Sequence, residues 1–80
     1  MNIYVANLGL DVHAEELREL FTPYGEVGSA KIIMDRLSSK SRGFGFVEMY
    51  DENAGKQAIS GLNNKVVQDR ALKVNEAKPR

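Results

Sequence analysis

Residues 42–49, Arg-Gly-Phe-Gly-Phe-Val-Glu-Met, constrain the fold more than any other stretch of the chain. They read as a β-strand, in which successive side chains point to opposite faces. One face then carries Arg42, Phe44, Phe46 and Glu48, and the other carries Gly43, Gly45, Val47 and Met49. Turning the phenylalanines inward would turn Arg42 and Glu48 inward with them, and a buried unpaired charge is costly. Val47 and Met49 suit a core, and the glycines allow a helix to approach closely. The strand therefore belongs to a sheet with one covered face and one open face, and Phe44 and Phe46 point at water.

The rest of the chain supplies the cover. Ile3 to Asn7 alternates as a short strand. Residues 14–22 follow as a helix, with Leu17, Leu20, Phe21 and Tyr24 at the spacing of one apolar face. His13 stands at the cap position with Glu16 three residues on, half of a capping box, and Pro23 and Gly25 end the helix. A second strand is expected at 28–35, with Ala30, Ile32 and Met34 inward and Ser29, Lys31 and Ile33 outward. After a polar loop and the third strand, at 43–50, Asp51 caps a second helix that runs to Leu62. Its inner side is Ala54, Ala58, Ile59 and Leu62, and Asn63 and Asn64 suit a left-handed exit. Val66 and Val67 read as a short extended piece, Gln68-Asp69 as a turn, and 71–75 as the last strand, with Leu72 and Val74 inward. The order β-α-β-β-α-β is that of an α+β, ferredoxin-like sandwich: a four-stranded antiparallel sheet with two helices on one face. Residues 1–80 form one domain.

Composition excludes several functions. Without cysteine there is no disulfide or cysteine-based metal site, and the single histidine, His13, cannot build a zinc site alone. No metal and no cofactor are expected. No apolar run approaches the ~20 residues that span a bilayer, so a cytoplasmic protein is expected, with no membrane contact. The formal net charge is zero, but it is unevenly spread. Residues 11–27 carry Asp11, Glu15, Glu16, Glu19 and Glu26 against Arg18, whereas 31–42 carry Lys31, Arg36, Lys40 and Arg42 against Asp35. An acidic helix and basic strands make a dipolar domain with one face suited to phosphates.

Parity in the remaining strands completes the open face. Ile3 and Val5 go in, leaving Tyr4 and Ala6 out; Lys31 is out on the second strand, and Lys73 and Asn75 on the last. Three aromatic rings ringed by Arg42, Lys31, Lys73 and Asn75 are what a single-stranded nucleic acid needs: planes to stack bases and cations to track phosphates. Paired bases offer no free faces, so duplex is disfavoured.

The chain resembles the RNA recognition motif family over essentially its whole length. Residues 42–49 match the family's longer signature, K/R-G-F/Y-G/A-F-V-x-F/Y, at seven of eight places, and Ile3-Tyr4-Val5-Ala6-Asn7-Leu8 is similar to its shorter one. The resemblance implies base stacking on Tyr4 and Phe44, contact of Phe46 with a sugar or further base, and a phosphate on Arg42. It also implies contacts just past the last strand, at Asn75, Glu76, Ala77 and Lys78. The chain is similar to the short single-domain members of bacteria. Its implied role is a monomeric single-stranded RNA-binding protein, a post-transcriptional regulator or RNA chaperone, with single-stranded DNA left open as a ligand. Departures are Met49 for an aromatic, Gly9 for a frequent proline, and Asp69 and Asn64 where glycine is usual; the last two tolerate positive φ.

The same residues bear on two rival functions. An enzyme, as in acylphosphatase-like proteins of this fold, would need an activated nucleophile; none is visible, and no small-molecule substrate is expected. A protein-interaction module binding a peptide is the alternative, with the acidic face of the first helix as its place, but such domains usually degrade the aromatic signature that is intact here.

Overall fold

The computed structural model describes residues 1–9, 11–38 and 41–77. Strand β1 (Asn2–Ala6) leads to helix α1 (Ala14–Phe21), which tightens into a 3-10 turn at Thr22–Tyr24. Strands β2 (Val27–Met34) and β3 (Ser41–Met49), helix α2 (Glu52–Leu62) and the short strands β4 (Val66–Val67), β5 (Arg70–Ala71) and β6 (Lys73–Glu76) follow. The main sheet is antiparallel in the order β2-β3-β1-β6. This is the four-stranded, two-helix ferredoxin-like architecture that the sequence pattern predicts.

The helices start and pack for local reasons. The Asp51 carboxylate accepts the Ala54 amide (3.2 Å), satisfying one of the free N–H groups at the start of α2. At α1, Glu16 reaches back to the His13 amide at 3.4 Å, the carboxylate half of a capping box. Leu17 and Phe21 of α1 and Ala54, Ala58 and Leu62 of α2 are buried, and they meet Ile3, Val5, Val47, Met49, Leu72 and Val74 from the sheet. The Arg18 guanidinium donates to the Val27 carbonyl (2.9 Å), tying α1 to the start of β2. All of this lies on one side of the sheet.

Three expectations need correction. Met34 is half exposed (50%) rather than inward. The β2–β3 register shifts between Ile32 and Met34, and such an irregularity breaks strict alternation. Asn63 is not left-handed (φ −63°); Asn64 alone takes that conformation (φ 69°), while the Asn63 side chain accepts the Val74 amide (3.1 Å). The expected last strand at 71–75 divides in two. Arg70–Ala71 folds back onto Val66–Val67 as a hairpin, and only Lys73–Glu76 joins the main sheet. The hairpin turn is Gln68-Asp69, both at positive φ (50° and 63°), as a two-residue turn with matching twist requires. Buried Leu72 anchors the junction: its amide donates to Lys65 (2.9 Å) and its carbonyl accepts from Asn64 (2.8 Å). Among the described residues no helix is long and apolar enough to cross a membrane.

Candidate nucleic-acid interface

The two sides of β3 are built from adjacent residues. Gly45, Val47 and Met49 are buried beneath the helices, while Phe44 and Phe46 lie half-buried on the other side and Glu48 is exposed there. Gly45 is required by close approach, since a Cβ would strike the Lys31 carbonyl of β2 and stand 3.2 Å from Leu17 Cδ2 of α1. Gly43 has a different reason from the expected helix approach. Its φ is +83°, and its carbonyl accepts the Leu8 amide (2.8 Å), so it closes the end of β1 onto β3 through a left-handed backbone.

Register places the rings side by side. Tyr4 pairs with Phe46 across β1–β3, and Ala6 with Phe44. Ala6 is small, and Phe44 meets Tyr4 across the diagonal. The Tyr4 centroid lies 5.8 Å from Phe44 and 5.6 Å from Phe46, and the two phenylalanines are 6.4 Å apart and nearly perpendicular. These separations are those of favourable aromatic pairs. Each ring thus braces the others, which explains their partial burial on a face that no helix covers.

Polar residues extend the same rows. Lys31, Phe46, Tyr4 and Asn75 form one continuous row across all four strands, and Phe44, Ala6 and Lys73 form the next. Lys31, Lys73 and Asn75 are exposed. Ala77 joins the edge by donating its amide to the Asn2 carbonyl (2.8 Å). The sequence-predicted residues Tyr4, Phe44, Phe46, Lys31, Lys73, Asn75 and Ala77 therefore come together on one surface. The Arg42 backbone belongs to β3, but its side chain, like the whole of Lys78, lies outside the described residues.

One part of this surface escaped the sequence reading. Past Phe46, a depression of ≈ 390 Å³ is lined by Asn2, Ser29, Lys31, Glu48 and Ala77 beside the ring. Asn2 and Ser29 both pair with Glu48 in the register, so the three polar side chains form a row next to the aromatic one. Asn2 shares the parity of Tyr4, and Glu48 that of Phe46, so the signal was present in the alternation itself. Elsewhere, among the described residues, no three His, Asp or Glu side chains gather as a metal ion would need.

Comparison with known proteins agrees with this geometry. The family model for the RNA recognition motif matches residues 3–73. The cyanobacterial protein RbpB of Nostoc sp. is 45% identical over 80 residues, which is 100% of this chain and 78% of that one. A chloroplastic RNA-binding protein of Arabidopsis thaliana is 45% identical over 78 residues, but this chain spans only 27% of its length. Among solved structures, the crystal structure of RNA-binding protein PG1 superposes with TM-score 0.96 at 51% identity, covering 100% of this chain and 96% of that one. A Sxl-lethal protein–RNA complex superposes with TM-score 0.93 at 33% identity, over 99% of this chain and 47% of the other. With a family model over most of its length and both signatures on adjacent strands, the chain belongs to the RNA recognition motif family.

Proposed function

We propose that this domain holds single-stranded RNA across the open face of its sheet. Bases stack on Tyr4, Phe44 and Phe46, and phosphates meet Lys31, Lys73, Arg42 and Lys78. The observation that carries this reading is the cluster of three mutually bracing rings on a face that no other described element covers, with an exposed lysine beyond the rings on each side. Apolar rings on an uncovered face mark a binding surface. The chloroplastic relative named for RNA binding and the neighbour solved with RNA support the choice of ligand.

Stacking is worth roughly 1–3 kcal/mol per base. Three platforms supply several kcal/mol, from which the cost of ordering a flexible strand is subtracted. The outcome is a modest, readily exchanging complex, suited to post-transcriptional regulation or to chaperoning of RNA in the cytoplasm. The described binding residues all lie on one copy of the domain, and in this reading it acts as a monomer and without catalysis. Stacking alone does not separate ribose from deoxyribose, which leaves single-stranded DNA as a second ligand.

The test is a fluorescence titration of a labelled single-stranded RNA with the wild-type protein and with Phe44→Ala combined with Phe46→Ala. The double variant is expected to bind at least about tenfold more weakly, with an unchanged circular dichroism spectrum. Equal affinity would remove the stacking face from the account.

A further inference from the structure

Glu48 is out of place on a surface meant for a polyanion. It is exposed on the face that carries Tyr4, Phe44 and Phe46, one register step from Phe46, and a phosphate passing there would be repelled. Among the described residues its carboxylate has neither a hydrogen-bond nor an ion-pair partner. It faces the depression of ≈ 390 Å³ beside Phe46, between Asn2 on β1 and Ser29 on β2. That volume falls at the low end of the ~300–1,000 Å³ of small-ligand sites and is ample for one nucleobase.

We infer that this depression is a base-reading subsite in which Glu48 selects guanine. The inference rests on the sheet-face reading above and gives it a sequence preference. A carboxylate is an acceptor only, with two oxygens side by side. Among the bases, guanine alone offers two adjacent N–H donors on its pairing edge, N1–H and the N2 amino group, matching both oxygens. Uracil sets a single N–H between two carbonyl oxygens, which the carboxylate repels, and adenine and cytosine each offer one amino group beside an acceptor nitrogen. The guanine O6 is an acceptor, and Lys31, which lines the same depression, supplies a donor of the right charge. The Phe46 ring forms the adjoining wall, so a base stacked there brings its edge to Glu48. Asn2 and Ser29 add neutral hydrogen-bonding groups on either side.

The experiment compares a short oligouridine with the same strand carrying one guanosine, walked through each position, against wild-type protein and Glu48→Gln. Glu48 is exposed, so the variant keeps its fold, which circular dichroism verifies. Wild type should prefer the best guanosine strand by about tenfold, the discrimination of one good bidentate contact. Glu48→Gln should reduce that ratio to within about twofold while binding oligouridine at least as well as wild type. Replacing the guanosine by inosine, which lacks the N2 amino group, should remove much of the preference for wild type and little for the variant. Binding of both strands with equal affinity by wild type, or a preference that survives in Glu48→Gln, would overturn the guanine subsite while leaving the stacking face intact. Failure of wild type to bind any of the strands would overturn the sheet-face reading and this subsite with it.

Discussion

The two faces of β3 contain similarly apolar side chains and use them in opposite ways. On the covered face, Val47 and Met49 are fully buried against the helices, and Gly45 allows α1 and β2 to close on the strand. On the open face, Phe44 and Phe46 remain half-buried, packed with Tyr4 and with each other, with charged groups beside them. Hydrophobicity alone does not distinguish these sets. What distinguishes them is the company that strand parity imposes: glycine and aliphatic residues on one side, glutamate on the other. One set stabilises the fold, and the proposed function gives the other to a partner.

A core change and a face change should have opposite effects on stability and on affinity. Leu17→Ala removes a fully buried side chain of α1 and is expected to lower unfolding free energy by about 2–5 kcal/mol in urea titration, with RNA affinity per folded molecule unchanged. The paired Phe44→Ala and Phe46→Ala change should show the reverse, a large loss of affinity with a much smaller loss of stability. Gly45→Ala sharpens the boundary between faces, because its methyl group would collide with the Lys31 backbone. It should cost about 1–3 kcal/mol of stability by thermal unfolding. The smallest effect concerns charge. Arg42→Ala should reduce the slope of log affinity against log salt by about one, since one fewer counterion is released; an identical slope would exclude Arg42 from phosphate contact.

Much of this was legible in the sequence because a strand has an invariant period of two. The direction of Tyr4, Phe44 and Phe46 follows from that period once the charges at 42 and 48 are noticed, and the inward set Ile3, Val5, Leu72 and Val74 follows in the same way. Legibility failed where the period itself fails. The register shift near Met34 turned a residue expected inside toward solvent. Positive φ at Gln68 (50°) comes from the two-residue turn of the β4–β5 hairpin, and that at Asn7 (60°) goes with its side-chain amide donating to the Ala71 carbonyl (2.8 Å), 64 residues away. The depression at Glu48 was missed for another reason. Glu48 served only to orient the strand, and its place beside Asn2 and Ser29 appears once three strands are set in register.

The most direct test of the open face watches the rings themselves. Aromatic proton resonances of Tyr4, Phe44 and Phe46, together with buried Phe21 as an internal control, can be followed by nuclear magnetic resonance while single-stranded RNA is added. The three face rings should shift progressively as bases stack on them, while Phe21 stays stationary. RNA binding that leaves Tyr4, Phe44 and Phe46 unmoved would contradict stacking there.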